Sequence, residues 1–166
     1  MENYIVINGK KAELTPEQLK ALGIEVEKPN PFKRELRNGE VAYYIADIGD
    51  LGTIYNANSS FAELAYSVAN FCTDRTLMQQ RAQHEILNRL LWRYSMEHDG
   101  DKIDWTNHNS SKSYIIYEHD IKGFIVKNNQ YFQNLGVVYF HTKETAENAI
   151  EEIIEPFMKA HPDFKF

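Results

Sequence analysis

The side chains best equipped for chemistry in this sequence are a run of carboxylates, six histidines and one thiol. Asp99, Asp101 and Asp104 stand around Gly100, and carboxylates clustered on a loop are the raw material of a Ca²⁺ or Mg²⁺ site. An EF-hand loop needs acidic residues at alternate positions, a glycine at the sixth and a glutamate at the twelfth, and this segment has no such pattern. It reads as a solvated loop ending a helix. His84, His98, His108, His119, His141 and His161 form no His-x-x-x-His pair with a partnering glutamate. His98 and His119 each precede an aspartate, a pairing frequent in loops. Cys72 would be a nucleophile only beside a base in an electropositive setting, whereas it lies on an alternating strand just before a helix cap, where a core thiol is expected. The chain carries no Gly-x-x-x-x-Gly-Lys loop, no Gly-x-Ser-x-Gly elbow and no Gly-x-Gly-x-x-Gly turn. No catalytic residue, metal ligand or cofactor is therefore expected, and the chain reads as a non-enzyme.

Two sets of residues suit binding instead. Trp92 falls outside the apolar stripes of its helix, so it either covers the N-terminal arm or stands exposed as an anchor for a partner. Trp105 would seal a sheet edge or join it. With the acidic loops Glu97-His98-Asp99-Gly100-Asp101 and Glu118-His119-Asp120, these tryptophans form a candidate protein-binding surface: Trp92, Glu97, Asp99, Asp101, Trp105, Glu118 and Asp120. The second set is Arg89 and Arg93, near one line of the same helix with Arg75 while Arg81 takes another face. With Tyr43, Tyr55, Tyr114 and Tyr117 on strands they would make a groove for single-stranded nucleic acid, bases stacking on rings and arginine meeting phosphate. Against that set, Glu85 stands four residues before Arg89, a favourable helix pair, and strand tyrosines often complete a core with their hydroxyls wet.

The elements that must position these residues come from periodicity and punctuation. Residues 3 to 14 read as a hairpin turning at Asn8-Gly9. Thr15 caps a brief helix opened by Pro16 and stopped at Gly23. Residues 24 to 39, with Pro29 and Pro31, are a connector. The main body carries an internal repeat. With Gly52 aligned on Gly123, Thr53-Ile54-Tyr55 falls on Phe124-Ile125-Val126, Phe61 on Phe132 and Leu64 on Leu135. Tyr43-Tyr44-Ile45 matches Tyr114-Ile115-Ile116, and Phe71-Cys72-Thr73 matches Phe140-His141-Thr142 after a small adjustment. Each copy reads as three strands followed by a helix, with Thr73 and Thr142 as N-caps. The first helix runs from Arg75 to about Glu97. Its stripe Met78, Ala82, Ile86 gives way to Leu87, Leu90, Leu91, Tyr94, so it would touch both copies. The second carries Ala146, Ala149, Ile150, Ile153, Ile154, Phe157 and Met158 on one face.

The expectation is thus an α+β fold. An N-terminal hairpin, short helix and connector (1–39) precede two tandem strand-strand-strand-helix units with antiparallel sheets (40–98 and 113–166), joined by the loop 99–112. Of 166 residues, 43% are apolar and 13% aromatic, enough for a core, and the net charge of −6 argues against whole-surface nucleic-acid binding. One cysteine excludes an intrachain disulfide framework and fits a reducing compartment. No apolar run approaches the roughly 20 residues of a bilayer span, and the start lacks a signal-peptide pattern. A cytoplasmic protein is expected, and an exposed sheet edge would permit a homodimer.

Several segments together carry a resemblance: the opening Ile-Asn-Gly-Lys-Lys-Ala-Glu-Leu-Thr-Pro-Glu-Gln-Leu-Lys-Ala-Leu-Gly, the Pro-Asn-Pro-Phe that follows, the Tyr-Tyr-Ile strand, and the closing Gly-Val-Val-Tyr-Phe-His-Thr-Lys-Glu-Thr-Ala-Glu-Asn-Ala-Ile. On these the chain resembles small phage- and prophage-encoded proteins of low-GC Gram-positive bacteria. The shared motifs are structural and bring no catalytic residue. The resemblance implies an accessory protein of the anti-CRISPR or other anti-defence kind, which binds and inhibits a host nuclease complex such as a Cas effector in the bacterial cytoplasm. Acidic side chains would occupy a channel built for nucleic acid. Single-stranded nucleic-acid binding through the second set above is the alternative.

Overall fold

The computed structural model describes residues 4–7, 10–23, 30–36 and 39–166. The chain divides into two compact units, Met1–Lys33 and Arg34–Phe166.

In the first unit, β1 (Tyr4–Ile7) pairs antiparallel with β2 (Lys10–Glu13), Ile7 facing Lys10. The expected Asn8-Gly9 turn lies outside the described residues, as does part of the connector. Helix α1 (Pro16–Ala21) opens on a capping box: the Gln18 amide donates to the Thr15 hydroxyl at 3.3 Å and the Thr15 amide to Gln18 Oε1 at 2.8 Å.

The second unit is α+β, with antiparallel sheets. Strands β3 (Ala42–Ile45) and β4 (Leu51–Ile54) form a ladder with Tyr43 opposite Thr53. Side chains alternate across it. Ala42, Tyr44 and Ile54 pack on Ala62, Ala65 and Phe71, while Tyr43, Ile45 and Leu51 pack on Cys72, Met78 and Ala82. The small sheet therefore has a helix on each face. One of them, α2 (Ser60–Ser67), replaces the expected loop, with Ser59 as N-cap. No third strand forms in this copy: the chain returns as a single bridge, the Tyr43 amide donating to the Cys72 carbonyl at 2.7 Å and the Cys72 amide to Tyr43 at 3.1 Å.

The second copy has a fuller sheet, β5 (Lys112–Glu118), β6 (Gly123–Asn129) and β7 (Tyr139–Phe140), ordered β6-β5-β7. The two copies share a plan, since in each the first strand of the hairpin lies between the second strand and the segment entering the helix. They do not match residue by residue. Gly52 faces Tyr44 inside β4 whereas Gly123 faces Glu118 at the start of β6. Phe61 and Leu64 lie on α2, while Phe132 and Leu135 lie between β6 and β7.

Helix α3 (Arg75–Glu97) joins the copies, as the rotating stripe predicts: Met78 and Ala82 pack on the first sheet, Leu87 and Tyr94 within the second copy. Its N-cap is Asp74 rather than Thr73, with the Asp74 carboxylate accepting from the Leu77 amide at 3.0 Å. A carboxylate adds charge stabilisation at the positive helix end to the capping bond itself. Thr142 does cap α4 (Lys143–Ala149). The expected single C-terminal helix is α4, a π-helical turn at Ile150–Ile154, and α5 (Glu155–Ala160). Pro156 sits just inside α5, and a proline neither donates to the carbonyl four residues back nor leaves it room, which a wider preceding turn accommodates.

Candidate functional site

Trp92 is 59% exposed on α3, and Ile48, at the tip of the β3–β4 turn, is 79% exposed. Between them runs an open groove of about 410 Å³ lined by Ile48, Ile86, Arg89, Leu90, Trp92 and Arg93. Three local features set its far wall. The turn is closed by bonds from the Ala46 amide to the Asp50 carbonyl and from the Gly49 amide to Ala46, each 2.8 Å. Gly49 has φ +96°, a left-handed conformation that favours glycine, and its backbone lies so close to Ile86 that a Cβ there would force the Ile86 side chain or the turn to shift. Arg89 Nη1 reaches the Asp47 carbonyl at 3.4 Å. At the base of the turn, the Asn70 amide side chain takes the place of a strand: Ile45 N–H donates to Oδ1 at 2.8 Å, and Nδ2 donates to the Ile45 carbonyl at 2.9 Å.

The groove is apolar below and cationic along one side. Glu85 receives Arg81 at 3.0 Å and Arg89 at 3.6 Å, so Arg81 and Arg89 converge on one carboxylate rather than pointing to separate faces. Arg93 reaches Glu97 at 3.9 Å. Long contacts between exposed chains contribute little and leave both guanidinium groups of the groove accessible.

The other expected contact residues do not gather here. Trp105 packs edge-on against Tyr139 at 4.9 Å, with Lys112 Nζ 5.7 Å from its ring centre, and so fixes the loop to the sheet. Asp99 binds Lys102 Nζ at 2.6 Å, and that bond, ahead of the charge itself, holds its carboxyl below the usual range. Asp104 accepts from the Thr106 amide at 2.8 Å and hydroxyl at 2.6 Å, which also lowers its pKa. Asp101 is exposed beside them. Among the described residues no three His, Cys, Asp or Glu side chains are grouped to hold a metal. Glu118 and Asp120 lie at the far end of β5, roughly 15–20 Å from its start at the rise of a strand. The two acidic loops are thus separate surfaces. A larger run of exposed carboxylates, Glu144, Glu147, Glu151, Glu152 and Glu155, lines the C-terminal helix and was hidden in the sequence behind its apolar stripe.

The tyrosines proposed for base stacking are dispersed. Tyr43 faces α3, and Tyr55 is exposed beyond the end of β4. Tyr114 leans on Tyr139, whereas Tyr117, on the opposite face of β5, is stacked on Phe166 at 5.0 Å and 10°. They make no continuous platform. Cys72 is fully buried, and burial is the main cause that pushes its thiol pKa up, the reverse of what a nucleophile needs.

Sequence reasoning found Trp92, Arg89 and Arg93 but assigned them to different sites. It missed Ile48, whose only signal is an aliphatic residue inside the turn sequence Asp-Ile-Gly-Asp. No family model, no curated protein and no solved structure matches this chain. No helix among the described residues is long and apolar enough to cross a membrane.

Proposed function

We propose that the protein is a non-enzymatic accessory protein that docks onto a protein partner through the α3 groove, with Trp92 as the anchor. One observation carries this: a tryptophan more than half exposed, flanked by two arginines and facing an exposed isoleucine on a braced turn. Tryptophan and arginine dominate interface energetics, and a large apolar side chain held in water has a cost that a partner removes. The resemblance to phage-borne proteins makes a host defence nuclease complex, a Cas effector among them, the partner class to test, with inhibition of cleavage as the outcome. The carboxylates along the C-terminal helix and the net charge of −6 would steer the protein toward a basic nuclease surface.

The test is capture of tagged protein on purified defence nuclease complexes, followed by a cleavage assay. Binding with protection, lost in Trp92→Ala, is expected. Neither binding nor protection across such complexes would remove the nuclease reading, and capture indifferent to Trp92 would remove the groove.

A further inference from the structure

We infer that the groove beside Trp92 takes an acidic, aliphatic peptide segment of the partner, a carboxylate meeting Arg89 and Arg93 while an aliphatic side chain fills the space between Ile48 and Leu90. This rests on the docking reading above and adds the chemistry of what docks.

Charge is the first argument. The whole chain is at −6, yet the lining of this groove contains two guanidinium groups and no carboxylate. Arg89 and Arg93 make long ion pairs of 3.6 and 3.9 Å to Glu85 and Glu97 at the margins, and Arg89 adds the 3.4 Å bond to the Asp47 carbonyl. A basic segment would be repelled here, and an incoming carboxylate would find donors in fork geometry without breaking a buried pair. The two arginines are one helical turn apart, about 5–6 Å between Cβ atoms, so a single carboxylate can be shared between them.

Shape is the second. Ile48, Ile86 and Leu90 are aliphatic and Trp92 is the groove's one ring. A strand of nucleic acid binds through successive stacked bases, for which one indole gives a single step. Aliphatic walls of this size match one or two branched side chains. The Gly49 contact with Ile86 and the Arg89 bond to Asp47 hold the wall in place before a partner arrives, so little ordering is needed on binding.

The experiment is selection of short random displayed peptides on the purified protein, counter-selected on Trp92→Ala. Enriched peptides are expected to pair Asp or Glu with Leu, Ile or Val. Synthetic copies should bind roughly tenfold more weakly to the Arg89→Ala, Arg93→Ala double variant, and more weakly with added salt. Trp92-dependent peptides that are neutral or basic would overturn the acidic occupant and leave docking intact. No Trp92-dependent peptide, tighter Trp92-dependent binding of oligo-deoxythymidine, or a dimer in sedimentation that Trp92→Ala dissolves would each overturn the inference. The nuclease capture above decides separately whether the docking reading stands.

Discussion

A Cβ placed on Gly49 would lie 2.6 Å from Cδ1 of Ile86, so the turn of the β3–β4 hairpin rests on α3 through bare backbone. That contact sets where Ile48 stands and hence the width of the groove.

Gly49→Ala must therefore pay twice, in a left-handed backbone that alanine tolerates poorly and in a collision with Ile86. A loss of about 1–3 kcal/mol in urea unfolding is expected. Binding to the partner or to a selected peptide should weaken more than stability alone explains, because the displaced turn carries Ile48 with it. Unchanged stability and unchanged affinity would show that the turn is free to move off the helix.

Asn70 offers a second handle on the same wall. Its side chain satisfies both the N–H and the C=O of Ile45. Asn70→Ala leaves two partly buried backbone groups without these partners, and a cost of about 2–3 kcal/mol is expected. Asn70→Asp keeps the acceptor but not the donor and should fall between. If Asn70→Ala unfolds at the parent's urea midpoint, water has replaced the amide at no cost.

Much of the scaffold was legible because its signals are local. Thr142 before apolar helical spacing marks the start of α4, the start of α3 is read one residue early at Thr73 where Asp74 is the cap, and the shift of stripe from Met78 to Leu87 foretells a helix with two partners. Helix α2 was not legible: Ser-Phe-Ala-Glu-Leu-Ala buries only its alanines, while Phe61 touches the sheet edge-on at Tyr44 and stays half exposed and Leu64 is exposed, so the large apolar residues do not mark the face that packs. The repeat misled in the same way by pairing Phe61 with Phe132, alike in type and unlike in structure. The groove depends on a turn meeting a helix some forty positions away in sequence, and no spacing encodes such a meeting.

Lys112 is only 1% exposed, its ammonium donating to the Asn107 carbonyl at 2.7 Å beside Trp105. Lys112→Ala removes the charge-assisted bond and the packed stem together and should cost about 2–4 kcal/mol. Lys112→Met keeps the stem and should recover part of that. In a Trp92→Phe background the emission of Trp105 should shift to the red in Lys112→Ala as its loop loosens. Emission unchanged in that variant would mean that Tyr139 alone holds the ring.

Two buried groups set a pH dependence. The Cys72 thiol is raised above its ordinary 9.0 mainly by burial, with the Asp74 charge adding, while the Asp74 amide bond and Arg81 oppose. The Tyr94 hydroxyl is raised above 10.0, first by burial and then by the carboxylate of Glu152. In both cases the folded state holds the proton more tightly than the unfolded chain, so unfolding releases it more readily as pH rises. The stabilisation is complete below the unfolded values and is lost as pH climbs through the folded ones. Unfolding free energy should therefore show no pH dependence from these groups up to about pH 8, where their contribution is complete, and a decline beginning near pH 9. Cys72→Ala should remove the first part of that decline and Tyr94→Phe the part above pH 10, each compared with the parent because other groups titrate there too. A thiol reagent should modify Cys72 in native protein at mildly alkaline pH only at the rate of opening and at once in urea. Fast modification without denaturant would contradict the burial that raises its pKa.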